Sequence, residues 1–97
     1  MTHYVAIVED PGPDKAVGSW FPDLPGCFSA GDDIDDALRN AREALALYAE
    51  AETREGRALP KARSLSALKA DPAILAGFRD HIVVLVALQN DAAHAAE

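Results

Sequence analysis

The chain has 97 residues, 49% of them hydrophobic, and its 16 acidic against 9 basic residues give a formal net charge of −7. This length suits one core, so residues 1–97 are interpreted as a single domain. The charge excludes extended binding to a phosphate backbone unless the basic residues share one face, and their positions show no such grouping. Cys27 is the only cysteine, which excludes an internal disulfide and a cysteine-based metal cluster. No apolar run approaches a membrane span and no signal-peptide pattern opens the chain, so we expect a cytoplasmic protein.

Three strands are predicted in the first third of the chain. Residues 4–9 are apolar on both faces, which is typical of an interior strand. The turn formers at 10–14 lead into a second strand at 16–21, and a Pro/Gly turn leads into a third at about 27–30. Short connections between consecutive strands favour a three-stranded antiparallel meander.

A long helix is predicted from residue 34 to residue 55. Its apolar stripe has helical spacing and consists of Ile34, Leu38, Ala41, Leu45 and Tyr48. Asp33 is a suitable N-cap, Asp35 and Asp36 place negative charge at the positive end of the helix dipole, and Gly56 is a suitable stop.

The last part of the chain predicts a loop at 57–63, a short helical insert and a fourth strand. Ser64 can cap the first helical turn, and Asp71 with Pro72 can start a second segment. Residues 81–88 form an apolar run best interpreted as a buried strand, although an edge position would invite pairing with another subunit. Residues 89–97 are expected to form a flexible tail or a continuing helix. The fold class is therefore α+β, in the order β-β-β-α-β with the insert before the last strand.

One segment between the second and third predicted strands resembles a known family. It consists of Trp20, Phe21, Pro22, Asp23, Leu24, Pro25, Gly26 and Cys27. With the Gly31-Asp32 step and a helix that contains Ala37-Leu38, Ala41 and Glu43-Ala44-Leu45, it is similar to the HicB-like antitoxin family over residues 4 to about 88.

The resemblance implies a partial RNase H-like fold and a steric function without catalysis, metal or cofactor. The implied partner is a HicA-type toxin, an RNA-cleaving protein with a double-stranded-RNA-binding-like fold, and the implied partner-binding or assembly site is the segment 20–27. Many members carry a DNA-binding domain after the strand that matches residues 81–88. This sequence ends nine residues after Leu88, so we expect no DNA binding by this chain. A short chain leaves apolar area uncovered, which favours a homo-oligomer, a dimer or a tetramer.

Two alternatives stay open at this point. The first is a stand-alone homo-oligomeric module of the same fold that serves another protein interaction. The second is a metal-dependent nuclease, whose carboxylates would be Asp23, Asp32, Asp33, Asp35 and Asp36. Asp33, Asp35 and Asp36 suit a helix cap and first turn better, and Asp23 suits an Asx-type turn.

The hydrophobic members of the 20–27 segment have two interpretations. Adjacent strand residues face opposite sides, so one of Trp20 and Phe21 is expected to face a partner. The second face of the sheet is expected to be covered either by toxin or by another copy of the chain. Cys27 is interpreted as a small buried hydrophobe.

Overall fold

A computed structural model describes residues 2–88. The elements are β1 (His3–Glu9), β2 (Val17–Trp20), β3 (Phe28–Gly31), α1 (Ile34–Arg54), α2 (Leu65–Lys69), α3 (Pro72–Asp80) and β4 (Ile82–Ala87). The strands form one four-stranded sheet in the order β3-β2-β1-β4, and every neighbouring pair is antiparallel. The α+β fold, the meander and the long helix are confirmed. The tail predicted at 89–97 lies outside the described residues.

The first face of the sheet is covered by α1. Tyr4, Ala6 and Val8 point to this side from β1, and the helix contributes three buried residues, Ala37, Ala41 and Leu45. Small residues on the helix let its axis approach the strands closely, so large side chains from the sheet and from the 21–27 turn fill the remaining space. This packing explains the apolar stripe predicted for the helix.

The second face is covered in part by α2 and α3. Val5 and Ile7 are buried there against Leu68 and Ile74, while Trp20, Phe78 and Val83 pack around them half-buried. A Cβ on Gly77 would lie 2.7 Å from Ile7 Cδ1, so the absence of a side chain lets α3 approach the sheet. The helical insert thus covers part of the face that was expected to be covered by toxin or by another copy of the chain.

The helix boundaries follow from capping. The Asp33 carboxylate accepts the N–H of Asp36 at 2.8 Å, and Gly56 follows the C-cap with a φ of 75° in the left-handed region. Ser64 and Asp71 cap α2 and α3 in the same way through Ala67 and Ala73. These predicted caps are confirmed. None of the helices within residues 2–88 has the length and apolar character that crossing a bilayer requires.

The position of β4 corrects the sequence prediction. The strand pairs with β1 on one side only and forms an edge of the sheet, with Leu85 65% exposed and Ile82 41% exposed. β1 occupies the interior position and is buried from Tyr4 to Val8, as its two apolar faces predicted. Both strands are apolar on both faces, so this pattern did not separate the interior strand from the edge strand.

Candidate interaction site

The 21–27 turn is a compact structure closed by its own backbone. Leu24 N donates to Phe21 O at 3.0 Å, Cys27 N donates to Leu24 O at 3.0 Å, and Phe21 N donates to Cys27 O at 3.3 Å. Gly26 has a φ of 84°, a left-handed conformation that favours glycine. Two tight turns in succession therefore connect β2 with β3 and give the segment a fixed shape.

Three of the predicted site residues lie in the core. Phe21, Leu24 and Cys27 are each at most 4% exposed and pack in the cluster that contains Ala41 and Leu45 of α1. Burial raises the pKa of the Cys27 thiol to about 11, so it stays protonated and unreactive near neutral pH. These side chains hold the turn against α1 and are not available for contact with a partner at this surface.

Asp23 links the turn to the segment before α2. Its side chain is 7% exposed and accepts two hydrogen bonds from Arg63, from the backbone N at 2.8 Å and from Nε at 2.6 Å. Arg63 also contacts the Asp71 carboxylate at 3.2 Å, and these bonds raise the pKa of its guanidinium. The Asx-type role expected for Asp23 is replaced by a long-range one, because its acceptor atoms are used by a residue 40 positions later.

Two tyrosines fasten the same region. Tyr48 of α1 donates its hydroxyl to Pro25 O at 3.1 Å, and Tyr4 of β1 donates to Pro60 O at 2.7 Å. Burial raises the pKa of both hydroxyls, which keeps them protonated as donors. The backbone of the turn and the loop after α1 are thus attached to the sheet and the helix at separate points.

The exposed aromatic at this site is Phe28, which the sequence prediction missed. Trp20 is half-buried in the cluster beside α3, and its Nε1 donates to Glu9 Oε2 at 2.8 Å. Phe28 pairs with Trp20 across β2 and β3, points to the same face and is 70% exposed. Alternation along the strand contained this signal, since a buried Cys27 puts the next side chain on the opposite face.

An acidic cleft lies beside the N-terminus of α1. It has a volume of about 490 Å³, and its charged lining consists of Asp10, Asp14, Lys15, Asp32, Asp33 and Asp35. Within residues 2–88, no group of three His, Cys, Asp or Glu side chains is placed to hold a metal ion. The carboxylate of Asp36 accepts the N–H of Asp32 and pairs with Arg39, a capping role rather than that of a nuclease ligand.

The sequence matches a known protein family. Residues 4–96 match the family described as the HicB-like antitoxin of bacterial toxin-antitoxin systems. This chain belongs to the HicB-like antitoxin family. It is also 37% identical over 65 residues to an uncharacterized 14.9 kDa protein in the rep-hol intergenic region of Haemophilus phage HP1. That match covers 67% of this chain and 46% of the phage protein, so the chain spans about half of the relative.

Solved structures of HicB antitoxins share the fold. The Burkholderia pseudomallei antitoxin HicB is similar with a TM-score of 0.75 and 26% identity, over 94% of this chain and 66% of that one. The N-terminal domain of the same antitoxin is covered over its full length, 100%, with a TM-score of 0.70 and 26% identity over 92% of this chain. A chain of the HicA3 and HicB3 toxin-antitoxin complex is 29% identical with a TM-score of 0.68, over 89% of this chain and 96% of that one.

Proposed function

We propose that this HicB-like chain is an antitoxin that binds a HicA-type RNA-cleaving toxin and neutralises it by steric occlusion. The observation that carries the proposal is the likeness to a chain of the HicA3 and HicB3 toxin-antitoxin complex, which is covered over 96% of its length. Family membership over residues 4–96 supports it. A steric role needs no catalytic group, and an RNA-cleaving partner would place the chain in the cytoplasm.

The surface proposed for this contact lies at the end of the sheet where β2 meets β3. Within the 20–27 segment, Pro25 and Gly26 are exposed, and Phe28 beside them presents its ring to solvent. A large, exposed aromatic held on a strand loses little conformational freedom on binding and suits the role of an interface anchor. The buried members of the segment contribute by holding this surface in place.

Charge supports a basic partner. The chain carries a net charge of −7, and five aspartates line the cleft at the N-terminus of α1 with Lys15 as the one basic residue among the lining side chains. An acidic surface attracts a protein whose own surface is shaped to bind a phosphate backbone, because the two potentials are complementary. Association is therefore expected to slow as salt concentration rises.

Co-expression with candidate HicA-type toxins tests the function, and one substitution tests the surface. We expect the chain to restore growth and to co-purify with its toxin. Phe28→Ala should weaken binding by about 30-fold or more, as expected for an aromatic anchor worth about 2 kcal/mol. Leu47→Ala is the matched control, because Leu47 is another exposed large hydrophobic residue, 64% exposed, but belongs to α1 and not to β3. This variant should bind as the wild type does.

The outcomes separate function from surface. If every candidate toxin remains toxic and no complex survives purification, the antitoxin proposal fails. If, in addition, the chain purifies only as a homo-oligomer, the stand-alone module becomes the better interpretation. If a complex forms but Phe28→Ala and Leu47→Ala bind equally, the toxin binds a different surface and only the proposed location is wrong.

A further inference from the structure

Two aromatic side chains stand next to each other on the second face of the sheet. Phe21 N donates to Cys27 O at 3.3 Å, so these two residues form a hydrogen-bonded pair where β2 and β3 meet the turn. The next pair along the ladder, Trp20 with Phe28, is then a non-hydrogen-bonded pair. In such a pair the Cα atoms are only about 4.5 Å apart and the side chains are closest. The two rings therefore form one aromatic surface, on which Phe28 is the exposed member.

Small residues follow the two aromatics on the same face. Gly18 pairs with Ala30, two positions along from Trp20 and Phe28, and alternation places all four on one side of the sheet. Outside the chain neighbours of Gly18, no heavy atom lies within 4 Å of the position its Cβ would take. Ala30 is exposed. The backbone here is the open floor of a shallow recess, which the two rings border on one side.

A carboxylate borders the same recess from β1. Glu9 pairs with Gly18 across β1 and β2, and its side chain is 48% exposed. Its Oε2 accepts a hydrogen bond from Trp20 Nε1 at 2.8 Å and lies 3.8 Å from His81 Nε2. Within residues 2–88, no N–H or O–H donates to its other oxygen, Oε1, and no lysine or arginine pairs with this carboxylate. One oxygen of Glu9 is thus fixed beside the indole, and the second is open to a donor.

We propose that this recess, formed by Glu9, Gly18, Trp20, Phe28 and Ala30, binds an arginine side chain of a basic protein partner. The guanidinium stacks on the ring of Phe28 and donates to Glu9 Oε1. β1 and β3 lie on either side of β2 and are about 10 Å apart. A cation attracted within about 6 Å of a ring centroid, with a hydrogen bond of about 2.9 Å to a carboxylate, spans this distance. The inference rests on the proposed function, because the HicA-type toxin is the partner that supplies the arginine.

The chemistry of the recess selects arginine over other occupants. A flat guanidinium stacks on a ring with its face and donates hydrogen bonds from its edge, whereas the compact ammonium of lysine does not do both. An anionic group is repelled by Glu9 and by the net charge of −7. An apolar side chain would remove water from the Glu9 carboxylate without giving it a donor, which is unfavourable.

Isothermal titration calorimetry of the full chain with short peptides tests the recess without a toxin. Hexa-arginine and hexa-lysine carry the same charge, so general attraction to an acidic protein is matched between them. We expect hexa-arginine to bind about fivefold more tightly, because only the guanidinium uses both the ring and the carboxylate.

Two charge variants locate the binding. Glu9→Gln should weaken hexa-arginine binding by about fivefold. Glutamine keeps an oxygen that can accept the hydrogen bond from Trp20 Nε1, so this variant tests the charge rather than the packing. Glu43→Gln is the control, since it removes the same charge from an exposed position on α1. It should bind hexa-arginine as the wild type does.

Two substitutions test the ring itself. Phe28→Leu keeps a large apolar side chain without a π face and should lose the preference for arginine, whereas Phe28→Tyr should keep it. Circular dichroism checks that each variant is folded.

Three results would overturn the proposal: equal affinity of the wild type for the two peptides, a loss in Glu9→Gln no greater than in Glu43→Gln, or the same preference in Phe28→Leu and Phe28→Tyr. None of them depends on a toxin, so the failure of the recess is distinguishable from the failure of the antitoxin function, which co-expression decides.

Discussion

Gly31 provides the sharpest test of how the sheet positions α1. It ends β3, is buried, and lies against the first turn of the helix. A Cβ at this position would lie 2.6 Å from the carbonyl carbon of Asp36 and 2.8 Å from Ala37 Cα, and would also meet Ala37 N. These are backbone atoms, so no side-chain rotation relieves the contact. Gly31→Ala must displace the start of α1.

The cost of Gly31→Ala can be estimated from two contributions. Overpacking a well-filled site costs about 1–3 kcal/mol, and a displaced first turn weakens the Asp33 cap, worth about 1 kcal/mol. The expected loss is therefore about 2–4 kcal/mol in the free energy of unfolding, or a fall of about 10–25 °C in Tm for a domain of this size. Urea denaturation followed by circular dichroism, at one fixed protein concentration, measures it.

The matched control for this variant is Gly18→Ala. Gly18 lies in β2, pairs with Ala30 of β3, and has no heavy atom within 4 Å of the position a Cβ would take. Its substitution should change the free energy of unfolding by no more than about 0.5 kcal/mol. If the two variants have the same stability, the close contact between Gly31 and the first turn of α1 does not limit the residue at this position, and the prediction is wrong.

Two further predictions concern the 21–27 turn. Arg63→Ala leaves the poorly exposed Asp23 carboxylate with one hydrogen bond fewer, so the free energy of unfolding should fall by about 1–3 kcal/mol in urea titrations. Lys61 is exposed, so Lys61→Ala should change the free energy of unfolding little. Equal losses in the two variants would contradict the role of the ion pair. The Cys27 pKa is raised from 9.0 to about 11, so its stabilising contribution is present below pH 9 and decreases between pH 9 and about pH 11 as the unfolded thiol ionises first. The native thiol should react slowly with a thiol reagent at pH 8 and rapidly in urea, and fast native labelling would disprove the burial.

Local signals in the sequence predicted the elements well. Asp33, Ser64 and Asp71 were identifiable as caps because a capping side chain bonds a backbone N–H only two or three residues ahead. Gly56 was identifiable as the end of α1 because glycine readily adopts the left-handed φ found there. These contacts are short in sequence, and the residues that make them are chemically specialised.

Contacts between distant residues were not predictable in the same way. Asp23 and Arg63 are 40 positions apart, and neither residue type indicates which of many opposite charges it will meet. The strand order decides whether β4 lies at an edge of the sheet. It also decides which face α2 and α3 cover, because these helices come directly before β4 in the chain. An apolar pattern on both faces is compatible with either position. Phe28 lies one residue beyond the 20–27 segment, so the resemblance to the family did not single it out.

Trp20 gives the chain a built-in optical reporter. It is the only tryptophan, its indole lies half-buried in the cluster beside α3, and its Nε1 is bonded to Glu9. Its neighbour across the ladder is the solvent-exposed Phe28. All intrinsic tryptophan fluorescence therefore comes from one position. This fluorescence should change when the packing of α3 on the sheet changes or when another molecule binds at Phe28. Events on that face can be followed in the unlabelled protein.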